Sequence, residues 1–399
     1  MKYNEKDQER IDLWALKNDL EDSTLRTYLP CLKYYCELVN LSPDDLIKEA
    51  DKDEENGVKL RDRKINLHFL KLKKNLIKDG KAEGTIKLYI SAIKSFYEAL
   101  DVQNPKIKTP TGDIGLEKNY GKLISREELI CLINMAAPRE KALIYLMALS
   151  GMAQAEARNL TLRKFMNAAG EAINKDFNTI FDLFNAEKEL SNEILTIHIT
   201  RKKVNYRYIT FIPPEATTQI IYYLKERVYG RNEKIRIENY DSPLFVKING
   251  EPCDTDIIVS NFRRLGIEAG FKKEFGAYSF WRSHGLRKYF ISNIMNKIGD
   301  KVLADFLAGH KISKVDKAYW YMDSEDLKKR YIKALPYLSI DKAKVINIKS
   351  DDVKRIEELE DFQIDMKEQM LKTQPIFEAL RDNPDIMDAL NERMTNLNK

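Results

Sequence analysis

Cysteine is scarce in this 399-residue chain, with only Cys31, Cys36, Cys131 and Cys253, and their spacing fits neither a zinc site nor a disulfide framework. Reduced thiols packed in a core, in a cytosolic protein, are the expectation. Histidine is equally scarce, at four residues, and no cysteine pair or acidic cluster adjoins them to suggest a metal. No apolar run is long enough to cross a bilayer, and the opening stretch MKYNEKDQERIDLW is polar, without an apolar signal region. The sequence therefore reads as soluble, intracellular and cytoplasmic, with no membrane partner.

What the chain does have is charge, at 32% of residues, which argues for a soluble folded protein rather than a disordered one. The net charge is only +5, but it is unevenly spread. The last 59 residues hold 10 basic and 14 acidic side chains, which leaves residues 1–340 with 57 basic against 48 acidic. A surplus of that sign is compatible with a polyanionic partner. The length accommodates two or three domains with proper cores.

Helical periodicity dominates residues 1–102. Asp22, Ser23 and Thr24 precede Leu25, Tyr28, Leu32, Tyr35 and Leu38 at helical spacing. A Lys- and Arg-rich helix is predicted from Leu60 to Ile77, and a third carries Ile86, Tyr89, Ile93, Phe96 and Leu100 on one stripe with Lys87, Ser91 and Lys94 on its other faces. Residues 103–121 contain Asn104-Pro105, Thr109-Pro110-Thr111-Gly112 and Gly115, which is linker chemistry. A second domain is predicted over 122–340. It opens on the capping box Ser125-Arg126-Glu127-Glu128, and Pro138 starts the next helix, which ends near Gly151. The pattern then switches to period two. Phe177 to Phe184 reads as a strand, and Leu195, Ile197 and Ile199 pair across Arg201-Lys202-Lys203-Val204-Asn205 with Tyr206, Tyr208, Thr210 and Ile212 as a hairpin. Further helices are predicted over Ala216–Tyr229, Thr255–Ala269 and Ser324–Ala334. Residues 341–399 carry Val353, Ile356, Leu359, Met366 and Met370 at near-heptad spacing, a helical tail suited either to a coiled coil between protomers or to folding back on its own domain. The fold class is mainly α with a small antiparallel sheet.

The most informative stretch runs from Ser283 to Tyr321. His284 and Arg287, then Gly309 and His310, then Tyr319 nine residues past His310, bring imidazoles, a guanidinium and a phenol into a few dozen positions. Such a set suits phosphate chemistry, because N–H donors hold non-bridging oxygens while a phenol attacks phosphorus. His-x-x-Arg, Gly-His and a tyrosine nine residues on, with an apolar helix between, resemble the tyrosine recombinases, the integrase family of site-specific DNA recombinases. The resemblance covers about residues 20–340, and its specific motifs lie between Ser283 and Tyr319. The wording around Gly151-Met152 and Tyr208-Ile209-Thr210-Phe211 is similar to integrases of archaeal viruses or plasmids.

That resemblance implies a helical DNA-clamping domain over 1–102, a catalytic domain over 122–340, double-stranded DNA as partner and a homo-oligomer, a tetramer on synapsed DNA. It implies that Tyr319 forms a 3′-phosphotyrosyl bond, that Lys203 (with Lys202 as alternative) protonates the leaving 5′ oxygen, that Arg287 and His310 hold the phosphate oxygens, and that His284 accepts the phenolic proton or adds a hydrogen bond. Neither ATP, metal nor another cofactor is implied. Tyr321 and Tyr331 are rival tyrosines, assigned to packing, and His198 is assigned to an exposed or DNA-facing strand position. One departure matters. The family frame Gly-x-Arg-x-x-Glu is here Gly151-Met152-Ala153-Gln154-Ala155-Glu156, with alanine where the first phosphate-binding arginine is expected. Arg158 is the nearest substitute, although five residues of continuous helix would rotate it by about 140° and advance it by about 7.5 Å. Two further functions stay open beside strand exchange: a DNA-binding protein of the same fold that no longer cuts, and a type IB topoisomerase.

Overall fold

The computed structural model describes residues 4–108, 122–201, 206–272, 279–313 and 323–341. The chain divides into two compact units, Met1–Glu117 and Lys118–Lys399. It is mainly α-helical, with one two-stranded antiparallel sheet among the described residues. No helix among them is long and apolar enough to cross a membrane.

The first unit is built from α1 (Glu5–Lys17), α2 (Asp22–Val39), α3 (Pro43–Glu55), α4 (Lys64–Lys78) and α5 (Glu83–Ala99). Asn4 and Ser42 cap α1 and α3 reciprocally with Asp7 and Asp45, satisfying backbone donors that a helix start leaves open. The apolar stripes turn inward to bury Trp14, Tyr35, Phe69, Phe96 and Tyr97. Polar atoms of these large rings find partners inside: Trp14 Nε1 donates to Ser95 Oγ at 3.0 Å, and the Tyr35 and Tyr97 hydroxyls lie 3.2 Å apart. Lys87 and Ser91 stay exposed on the outer face of α5, and Lys94 is half-buried.

The second unit opens with α6 (Arg126–Met135), capped by Ser125 and Glu128, and α7 (Pro138–Ser150), whose run from Ala142 to Ser150 is entirely buried. A helix apolar all round belongs at the centre of a core, and α7 packs against the later helices and the hairpin. Next come α8 (Gln154–Asn159), α9 (Leu162–Ala172), α10 (Ile180–Asn185) and α11 (Glu187–Leu190). Strands β1 (Leu195–Arg201) and β2 (Tyr206–Ile212) form the hairpin with Leu195 opposite Ile212 and Arg201 opposite Tyr206. They are followed by α12 (Pro214–Tyr229), α13 (Thr255–Glu268), α14 (Ser283–Asn293), a π-helical extension over Ile294–Ile298, α15 (Lys301–Leu307) and α16 (Ser324–Leu338).

Three sequence readings need correction. Phe177–Phe184 is not a strand: Thr179 and Asp182 form a capping box that opens α10, and Phe177, Ile180 and Leu183 are the buried positions, a three-residue step. The last helix runs through Pro336 to Leu338 rather than stopping at Ala334. Of the four thiols, Cys31, Cys36 and Cys253 are buried but Cys131 is exposed. Burial pushes the Cys31 thiol up to about 11 and that of Cys36 to about 12, which keeps both protonated and inert. The tail over 342–399 lies outside the described residues.

Candidate functional site

The centre of the site is a carboxylate, Glu156, on the short helix α8, with a side chain only 7% exposed. A charge taken that far from water needs partners, and it has them. Its Oε2 accepts from the Ala153 backbone N–H at 2.6 Å and from the Tyr208 hydroxyl at 2.8 Å. Its Oε1 meets Arg201 Nε at 2.7 Å, and Arg287 Nη1 lies 3.7 Å from Oε2. Burial, together with the Glu156 charge, holds the Tyr208 phenol far above its usual pKa, so it serves as a donor.

Two guanidiniums thus share one acid, and each also ties down a loop. Arg287, on α14 and 4% exposed, donates from Nη1 to the Gly151 carbonyl at 2.8 Å. Arg201, at the end of β1, donates from Nη1 to the Gly309 carbonyl at 2.7 Å. Both carbonyls belong to glycines at positive φ, +68° for Gly151 and +70° for Gly309. A Cβ at Gly151 would lie 2.4 Å from the Phe290 ring, and one at Gly309 would lie 2.5 Å from that of Tyr208. Only glycine lets the backbone approach these rings so closely.

His310 follows Gly309 directly, its backbone N–H bonded to the Asp305 carbonyl at 2.8 Å and its Nδ1 2.8 Å from Asp305 Oδ1. A carboxylate on Nδ1 fixes the ring and leaves Nε2 as the outward nitrogen. His284, in the first turn of α14, is exposed. Its pKa is nonetheless below the ordinary imidazole value, first through partial burial, then through Arg282, Lys288, Arg287 and His310. His284 stands one helical turn before Arg287 on α14. Ser283 Oγ donates to Gln154 Oε1 at 3.1 Å, joining α14 to α8.

The site residues read from the sequence fall into three groups. Arg287 and the Gly309-His310 turn are linked through Glu156 and Arg201, and His284 lies one turn of α14 before Arg287. Arg158 points elsewhere: its Nη1 donates to the Cys253 carbonyl at 3.3 Å, and its Nε is buried without a hydrogen-bond partner among the described residues. Lys203, Lys202, Tyr319 and Tyr321 lie outside the described residues. Tyr331 is fully buried and donates to the Leu149 carbonyl at 2.7 Å, a packing role. His198 is exposed on β1.

With that geometry in place, known proteins can be set beside it. No family model matches the sequence, and no curated protein matches it. Solved structures do resemble it. A crystal structure of XerA recombinase is similar at 20% identity over 82% of this chain and 98% of that one, with a TM-score of 0.35. A lambda integrase(75-356) dimer bound to a COC′ core site is similar at 13% identity over 76% and 93%, with a TM-score of 0.48. XerH recombinase bound to a palindromic difH substrate, a post-cleavage complex, is similar at 17% identity over 79% and 92%, with a TM-score of 0.45.

Sequence reasoning missed Arg201, Tyr208 and Asp305. Nothing in the local spacing pairs Glu156 with the hairpin; its burial in the fold is what calls for the donors that Arg201 and Tyr208 supply.

Proposed function

We propose that the chain is a tyrosine recombinase, a site-specific enzyme that cuts and rejoins double-stranded DNA through a 3′-phosphotyrosyl ester and integrates or excises a mobile element. Lambda integrase and XerH in the structures above are bound to DNA sites. The observation that carries the reading is the meeting of Arg287, Arg201 and the Gly309-His310 turn around Glu156, drawn from three separated segments. One acid between two guanidiniums leaves a surplus positive charge, and a phosphodiester is the anion it suits.

In this reading Tyr319 attacks the phosphorus, and neutral His284 takes the phenolic proton. Arg287 and the outward nitrogen of His310 stabilise charge on the non-bridging oxygens, and Lys203 protonates the departing 5′-hydroxyl. A 5′-hydroxyl from a partner strand reverses the step, and because the ester conserves the bond energy, ATP is not consumed. Strand exchange between two duplexes calls for several copies of the chain, so a tetramer on synapsed DNA is the working assembly. Helices α1–α5 are assigned the DNA clamp, and 341–399 the contact between protomers.

A second reading, a DNA-binding protein that no longer cuts, is motivated by Ala153. Incubation with a nicked suicide duplex separates the two. The enzyme gives a covalent protein–DNA adduct that Tyr319→Phe abolishes; wild-type protein that binds the duplex without adduct supports the second reading.

A further inference from the structure

The alanine at 153 removes one cation from the place where the family frame puts it, yet the acid three residues later still binds two guanidiniums. We infer that Arg201, at the end of β1, is the second phosphate-binding arginine of this active site and does the work of the side chain missing at Ala153. The inference rests on the recombinase reading.

Three observations support it. Arg201 and Arg287 lie on the same carboxylate, Nε of the first at 2.7 Å and Nη1 of the second at 3.7 Å, so both guanidiniums face one small volume. Arg201 also donates to the Gly309 carbonyl, which sets it beside His310. Finally, its side chain is 31% exposed where that of Arg287 is 5% exposed. Nε and Nη1 fix the fork on Glu156 and Gly309, and the partial exposure leaves the side chain open to a phosphate oxygen, which a guanidinium recognises well. Arg158, nearer in sequence, has its donor turned to the Cys253 carbonyl.

The chemistry asks nothing new of the protein. The phenolic oxygen of Tyr319 bonds to phosphorus, the bond to the 5′ oxygen breaks, that oxygen takes a proton, and Arg201 compensates the charge on one non-bridging oxygen throughout. The test uses full-length protein on a nicked suicide duplex, with either an ordinary scissile phosphate or a methylphosphonate, in which a methyl group replaces one charged oxygen. Arg201→Ala is expected to form adduct about 100-fold more slowly on the phosphodiester, and Arg201→Lys about tenfold more slowly with an unchanged melting midpoint. On the methylphosphonate, whose charge no longer needs a partner, the Arg201→Ala deficit should shrink to within about threefold of wild type. Equal slowing on both substrates would assign Arg201 a structural role and overturn the inference, as would an Arg201→Ala variant within about threefold of wild type on the phosphodiester. A wild-type protein that forms no adduct removes the recombinase reading and this inference together; an active wild type with an indifferent Arg201→Ala removes only the inference.

Discussion

Helix α8 and the end of β1 each carry an arginine within reach of the same part of the core, and they use it differently. Arg158 stands two residues from Glu156 in sequence and turns to the Cys253 carbonyl; Arg201 stands 45 positions away and grips the Glu156 carboxylate. The difference shows that proximity along the chain is a poor guide to which cation an acid recruits. A helix start at Gln154, with Ala153 outside it, fixes where Arg158 can point, whereas an antiparallel hairpin delivers its last residue wherever its register ends.

The largest expected effect comes from removing what the two regions share. Glu156→Ala strands the buried Arg287 guanidinium, leaves Arg201 with one carbonyl and frees the Tyr208 hydroxyl, at a cost of about 3 kcal/mol in urea unfolding. Discounting the partly exposed Arg201, most of that comes from Arg287. A loss under about 1 kcal/mol would show that the acid is not the organising centre.

Next is Gly309→Ala, which places a methyl group against the Tyr208 ring on a backbone at φ +70°. Strain and overpacking together should cost about 2 kcal/mol, with adduct formation falling further than stability because His310 is displaced.

Arg158→Ala should have a smaller effect, about 1 kcal/mol from one lost hydrogen bond to a carbonyl, with the rate of DNA cleavage unchanged. A large loss of cleavage there, without a loss of stability, would reverse the contrast between the two arginines.

The subtlest effect concerns protons. The His284 pKa is lowered from 6.5, so near that pH the folded protein protonates the ring less than the unfolded chain does. Below about pH 6.5 the unfolded chain therefore binds the extra proton, and the contribution of His284 to stability declines as pH falls toward its folded pKa. A base of this kind stays competent in the same window, so the acid limb of the single-turnover cleavage rate should have its midpoint below 6.5. A midpoint above that value would remove His284 from the proton-accepting role.

Much of the architecture was legible in the sequence because local chemistry and tertiary structure agree. The capping box at Ser125, the buried run of α7 and the alternation of β1 with β2 each carry a period that matches their final environment. Phe177–Phe184 failed because an aromatic-rich run invites a strand reading while its buried residues repeat every three positions. The site was legible where a motif is contiguous, at His284, Arg287 and His310. It was not legible where a partner arrives from a distant register, as Arg201 and Tyr208 do for Glu156, since nothing in local spacing records that pairing.

The most direct measurement is a structure of the Tyr319→Phe protein on a nicked duplex. The account predicts that Arg201 and Arg287 each place a guanidinium nitrogen about 3 Å from non-bridging oxygens of the same scissile phosphate. A scissile phosphate held by Arg287 without Arg201, or bound away from Glu156 altogether, would contradict it.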